Sequence, residues 1–241
     1  MKNLNSYFEY INSPWGKLFY KLIQCQLGEI RGKTILDFGS GFGITADYLA
    51  SDNTVFAVEP DKEISDLRFC RNEYTQIIGG TEILKSESDK KYDIVICHNV
   101  LEYVDNRSEI MTEFCRVLKD NGFISVVKHN RMGKIMQKAV FEYNVEETAA
   151  LLNGDDIVSE NFGVIREYDD IELEQYSNGD FYIDDRFGIR TFYGLQNNDI
   201  KSNPDWIVNM LKLESLAQEI PDFYNIAFFH HLILRKRNKK D

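Results

Sequence analysis

Two carboxylates and a run of glycines carry the chemistry that can be read first. Asp37 stands two residues ahead of Gly39 in the frame Asp37-x-Gly39-x-Gly41-x-Gly43, and Glu59 closes the apolar run Val55-Phe56-Ala57-Val58. A dinucleotide loop needs Gly-x-Gly-x-x-Gly, with the last glycine packing helix against strand. The position for that glycine is Ile44. A carboxylate before the first glycine would also repel a diphosphate. It suits a ligand with a cationic amino-acid end and no phosphate. An acid at a second strand end can form paired, charge-assisted hydrogen bonds with neighbouring hydroxyls.

Such groups need a strand, a tight turn and a helix to hold them, and Thr34 to Ala50 supplies all three. Ile35 to Phe38 reads as a buried strand, Gly39 to Gly43 as a turn, and Ile44 to Ala50 as apolar at helical spacing. Glycines permit the turn's backbone angles and a close ligand approach. The following helix offers unpaired N–H groups. This places a nucleotide-type cofactor across the edge of a parallel sheet. The segment resembles motif I of the class I S-adenosylmethionine-dependent methyltransferases. The resemblance implies that Glu59 faces the ribose hydroxyls, that Thr81 and Glu82 stand beside the adenine, and that His98-Asn99 lines the methionine end. The candidate cofactor set is therefore Asp37, Gly39, Ser40, Gly41, Gly43, Glu59, Pro60, Thr81, Glu82, His98 and Asn99, with S-adenosyl-L-methionine as cofactor.

The implied fold class is α/β: a Rossmann-like seven-stranded mixed sheet flanked by helices, with a helical and loop insertion after strand 5. Further strands are expected at Gln76–Ile78, Tyr92–Cys97, Phe123–Val127, Ile189–Leu195 and Ala227–Leu234. Helices are expected from Pro14, from Asp61 to about Cys70, over Ile110–Lys119, Met132–Tyr143, Val145–Leu152 and Ile171–Tyr176, and from Pro204 to about Glu219. One domain over 1–241 divides into an N-terminal helical cap (1–28), a cofactor half (29–128), an acceptor-region insertion (129–188) and C-terminal edge elements (189–241). Tyr7, Tyr10, Trp15 and Tyr20 are either lid residues over the cofactor or core aromatics.

Three further stretches resemble the bacterial tRNA 5-carboxymethoxyuridine methyltransferases: Cys97 to Tyr103, Val117 to Gly122 and His129 to Met136. That likeness implies a wobble-uridine carboxylate as acceptor. The chain departs from it at Phe19, where that family has an arginine, and at Glu142, Glu146, Glu147, Asp155 and Asp156, where that family is lysine-rich. A carboxylate acceptor could be oriented by Arg190 or Arg131. A hydroxyl or amine acceptor would need a base, for which His98 and His129 are the candidates. The catalytic set is thus His98, His129 and Arg190.

Composition narrows the classes. Hydrophobic residues make up 43% and charged residues 28%, which fits a globular chain without membrane spans. A net charge of −11 disfavours nucleic acid as a partner, although basic residues gather at Arg235-Lys236-Arg237 and Lys239-Lys240. Four scattered cysteines, and His230-His231 on alternating faces of a strand, give no metal site; one of the two histidines is expected in the core and one in solvent. The expectation is a cytoplasmic enzyme with a small-molecule or nucleoside acceptor. The oligomeric state is not legible. A non-catalytic S-adenosylmethionine-binding protein and a nicotinamide-dependent oxidoreductase are the rival readings.

Overall fold

A computed structural model describes residues 4–159 and 163–237. Nine strands form among them: β1 (Thr34–Phe38), β2 (Thr54–Glu59), β3 (Thr75–Ile78), β4 (Tyr92–His98), β5 (Leu118–His129), β6 (Ile157–Ser159), β7 (Gly163–Ile165), β8 (Phe181–Ile189) and β9 (Phe229–Lys236). Seven make one mixed sheet in the order β3-β2-β1-β4-β5-β9-β8, and β6 pairs antiparallel with β7. β1 lies parallel to β2 and to β4, so their carboxyl ends point the same way. Reversal of strand order beside β1 creates the crevice where α/β sheets bind ligands.

Two compact units make up the chain. The glycine-bend unit comprises Leu27–Val127, Tyr168–Asp185 and Leu232–Asp241; the helical unit comprises Met1–Gln26, Lys128–Glu167 and Arg186–His231. In the glycine-bend unit, Ile35, Val55, Ala57, Ile94 and Ile96 from three strands bury against Ala46 and Leu49 of α3 (Ile44–Leu49). These strands are apolar on both faces, as buried parallel strands require. In the helical unit, α1 (Leu4–Asn12) meets α2 (Pro14–Leu27) so closely that a Cβ on Gly16 would strike the Tyr10 carbonyl. Leu18, Leu22 and Ile23 of α2 are buried, and the Phe19 ring lies 5.0 Å from Phe229. Phe19 is therefore a core residue.

Several expected boundaries move, for physical reasons. The helix α6 (Arg107–Val117) ends before Asn121-Gly122, because Leu118 already pairs with Tyr92 in the sheet. Residues 119–122 bulge out of the ladder before Phe123 meets Ile94, and Gly122 permits the bulge because a Cβ there would meet the Asp93 carbonyl at 2.6 Å. Gly80 caps a short helix, α5 (Thr81–Ser86), whose first turn holds Thr81 and Glu82. The strand expected at Ile189–Leu195 ends at Ile189 instead of beginning there: Arg190 has φ +67°, and Tyr193–Leu195 is a 3₁₀ turn. The connection from β5 to β8 accordingly spans residues 130–180 rather than reaching 188. It holds α7 (Arg131–Met136), a π-helical turn (Gln137–Phe141), α8 (Val145–Leu152), the β6–β7 pair and α9 (Asp170–Tyr176).

The basic C-terminal residues that are described are engaged locally. Arg235 pairs with Asp184 at 2.6 Å and Arg237 with Glu174 at 3.0 Å, while Lys236 donates to the Leu118 carbonyl. Lys239 and Lys240 lie outside the described residues. Among the described residues, no helix is long and apolar enough to cross a membrane.

Candidate active site

The glycine bend is built by its own backbone. Gly39, Gly41 and Gly43 have φ of +79°, +54° and +70°, a left-handed conformation that side chains resist. Gly39 N–H and Ser40 N–H both donate to the Val58 carbonyl, at 2.8 and 3.0 Å, which fastens the bend to β2. Side-chain space is closed as well: a Cβ on Gly39 would collide with Val100, and one on Gly43 with the Tyr74 hydroxyl.

Asp37 is 3% exposed and sits on the β1 strand end facing this bend. The Ala46 N–H donates to its carboxylate, but Oδ2 has no hydrogen-bond partner. Burial pushes its pKa up to about 7, helped by the like charge of Glu59 and opposed by the Ala46 N–H. Glu59 is also buried, and it is held in place: Oε2 accepts from Gly41 N–H at 2.9 Å and Oε1 from Asp61 N–H at 3.0 Å. One carboxylate thus fixes the bend, while its neighbour keeps an unmet oxygen.

Two more predicted residues share that condition. Ser40 Oγ and Asn99 Oδ1 are buried without partners; Asn99 itself takes φ +54° and donates its N–H to the Val127 carbonyl at 2.7 Å. Buried polar atoms are nearly always paired. Three unmet ones at the carboxyl ends of β1 and β4 describe a surface shaped for a polar ligand.

The remaining predicted residues divide between the units. Pro60 is exposed, just past β2. Thr81 and Glu82 begin α5 beyond β3, where Glu82 Oε1 accepts from Gly80 N–H at 2.8 Å; that bond lowers the pKa of the exposed carboxyl. His98 ends β4, with Nε2 2.7 Å from Ser125 Oγ. His129 and Arg190 belong to the helical unit. There His129 packs against Phe228 and Phe229, at centroid distances of 6.0 and 4.8 Å.

Two expectations are corrected. Arg131 cannot orient an acceptor, because it pairs with Glu167 at 2.6 Å and donates to the Leu151 and Asp155 carbonyls. His230 and His231 are both buried, at 8% and 0% exposure, so neither faces solvent. His230 stacks on Tyr224 at 3.8 Å, whereas His231 Nδ1 lies 2.8 Å from Gln26 Oε1 and burial lowers its pKa to about 3. Lys201, Tyr193 and Glu214 were missed by sequence reasoning. Asp199-Ile200-Lys201-Ser202 reads as any polar loop, and Glu214 as any helical charge.

Comparison with known proteins bears directly on this arrangement. Residues 36–126, which carry the bend and both carboxylates, match the family model described as a methyltransferase domain. Over those residues the chain is similar to the methyltransferase domain, and the match spans well under half of its length. A curated relative, the ubiquinone biosynthesis O-methyltransferase of Rickettsia typhi, is 30% identical over 116 residues, which are 46% of this chain and 47% of that protein. The chain thus spans about half the length of the curated relatives it matches. An S-adenosylmethionine-dependent methyltransferase from Thermotoga maritima superposes with a TM-score of 0.63 at 17% identity, over 97% of this chain and 96% of that one. Another from Archaeoglobus fulgidus gives 0.60 at 14% identity, over 95% and 99%. At such identities these two structures speak to the fold alone.

Proposed function

We propose that this chain transfers the methyl group of S-adenosyl-L-methionine to an oxygen nucleophile on a small acceptor. The observation that carries the reading is the trio of unmet buried atoms, Asp37 Oδ2, Ser40 Oγ and Asn99 Oδ1, around a bend of three left-handed glycines. Bound S-adenosylmethionine supplies an electrophilic methyl on a sulfonium, so the chain's own task is to hold, orient and keep out water. In this reading Asp37 takes the cationic amino-acid end, which suits a carboxylate poised near neutrality. Glu59 keeps Gly41 N–H fixed while turning its remaining acceptor capacity to the ribose hydroxyls. Thr81 and Glu82 border the adenine, and His98 with Asn99 lines the methionine end.

Oxygen as the accepting atom is supported by the likeness to an O-methyltransferase, which covers half of the chain. His98, which belongs to the same unit as the glycine bend, is the base if that oxygen begins as a hydroxyl, and no base is needed for a carboxylate. The tRNA alternative has less behind it. The relative named above acts in ubiquinone biosynthesis by its name, and a net charge of −11 repels a phosphate backbone. Incubating the whole chain with radiolabelled S-adenosylmethionine and fractionated cell extract tests the proposal. Label is expected in a small-molecule fraction. Label confined to tRNA would replace the acceptor, and no transfer from a cofactor that demonstrably binds would favour a non-catalytic role.

A further inference from the structure

Among the described residues of the helical unit, a group of cations has no acid paired with it. Arg190 leaves β8 in the left-handed conformation because the main chain of residues 190–193 wraps the carboxylate of Glu214, on α10 (Trp206–Ala217). Glu214 is 1% exposed and accepts from the N–H groups of Thr191, Phe192 and Tyr193 at 2.9, 2.8 and 3.0 Å. Its charge is therefore spent on backbone. The guanidinium of Arg190 lies 4.3 Å from the Phe228 ring centre, and its Nε is buried with no hydrogen-bond partner.

Two lysines stand near this arginine. Lys201 is 5% exposed, lies beside the Trp15 and Phe141 rings at 5.4 and 5.1 Å, and donates to Asn198 Oδ1. Burial lowers its pKa to about 8, with the Arg190 charge adding to the effect. Lys134 lies 5.6 Å from the Phe228 ring; burial lowers its pKa too, then the charges of Lys138 and Arg190, against Glu142 and Glu147. Those two glutamates are already paired with Lys138, at 2.7 and 2.8 Å. The hydroxyls Thr191 Oγ1 and Tyr193 Oη are buried there without partners.

Buried cations are ordinarily paired, since desolvating them costs several kcal/mol. Here, among the described residues, the buried Lys201 and the half-buried Arg190 and Lys134 gather around an unmet donor, Arg190 Nε, with no carboxylate at ion-pair distance of any of them. We propose that Arg190, Lys201 and Lys134 bind an oxyanion, the carboxylate or phosphate group of a small molecule. An unpaired Nε beside an Nη offers the two parallel N–H donors that a planar oxyanion takes side-on. The lysines add point charges, and Tyr193 and Thr191 add neutral donors. The site rests on these residues alone and does not depend on the methyl-transfer reading.

Benzoate and inorganic phosphate, titrated separately into the whole chain at fixed ionic strength with chloride as control, test it. The arginine Nε–H region of the NMR spectrum is the readout. One Nε–H resonance is expected to move saturably with at least one oxyanion and not with chloride. That resonance is expected to vanish in Arg190→Lys, and the affinity to fall at least tenfold in Lys201→Gln but not at the exposed Lys212→Gln. Equal response to chloride, a moving resonance that persists in Arg190→Lys, or undiminished affinity in Lys201→Gln would overturn the site. The wild-type titrations decide the matter even if a variant fails to fold. S-adenosylmethionine binding, measured on the same samples, separates the two proposals: a cofactor response without an oxyanion response removes this one only.

Discussion

Replacing Asp37 with asparagine should make the protein more stable and a worse cofactor binder. The carboxylate is 3% exposed with one oxygen unmet, and its pKa rises from 3.8 to about 7. A group whose folded pKa is raised binds more protons in the native state between those values. Stability from this group is therefore full below about pH 4 and is lost as pH rises through about 7. About three pKa units correspond to at most about 4 kcal/mol. Asparagine keeps an acceptor for the Ala46 N–H and carries no charge to desolvate. Urea denaturation of both proteins across pH 4–8.5 reads the difference directly. The subtraction matters, because buried His231, with a pKa lowered to about 3, tilts the wild-type curve the opposite way below about pH 6.5. The stability advantage of Asp37→Asn should grow with pH and flatten above about 7. S-adenosylmethionine affinity at pH 8 should fall tenfold to a hundredfold, the worth of a charged hydrogen bond of about 1.5–3 kcal/mol. A pH-independent difference, joined to unchanged affinity, would refute the reasoning.

Other consequences follow from the same residues. S-adenosylmethionine affinity of the wild type should rise with pH and level off above about 7, measured by calorimetry in buffers of matched ionic strength; a flat profile would mean that the cationic end is held elsewhere. Glu59→Gln should weaken binding by a similar tenfold to hundredfold and move that pH midpoint downward, because Glu59 helps to raise Asp37. Gly43→Ala should cost about 1–3 kcal/mol in a denaturant melt, since it strains a φ of +70° and displaces the Tyr74 hydroxyl from the Phe69 carbonyl. Glu214→Ala should cost about 3 kcal/mol or more, as three buried N–H groups lose their acceptor. No loss in that variant would mean that the 190–193 turn does not rely on Glu214.

The bend was legible because its residues have few alternatives. Three glycines at alternate positions after an apolar strand leave little but a left-handed turn, and an acid at the next strand end completes the pattern. What stayed hidden depends on contacts distant in sequence. Ile189 to Leu195 is apolar enough to be read as a strand, yet it breaks at Arg190 because Glu214, more than twenty residues on, gathers the backbone around itself. Charged Asp184-Asp185-Arg186 concealed β8, in whose middle they lie. The alternation rule separated His230 from His231, but a strand covered on both faces buries both. Arg131 looked free only because Glu167 is thirty-six residues away.

The central claim is that two strand-end carboxylates and the glycine bend receive a phosphate-free adenosyl sulfonium. Calorimetric titration of the whole chain with S-adenosylmethionine, S-adenosylhomocysteine and NAD tests it most directly. Saturable binding of both adenosyl compounds, weakened in Asp37→Asn and absent with NAD, is the expected result. A folded protein that takes up NAD alone, or binds S-adenosylmethionine equally well without either carboxylate, would contradict it.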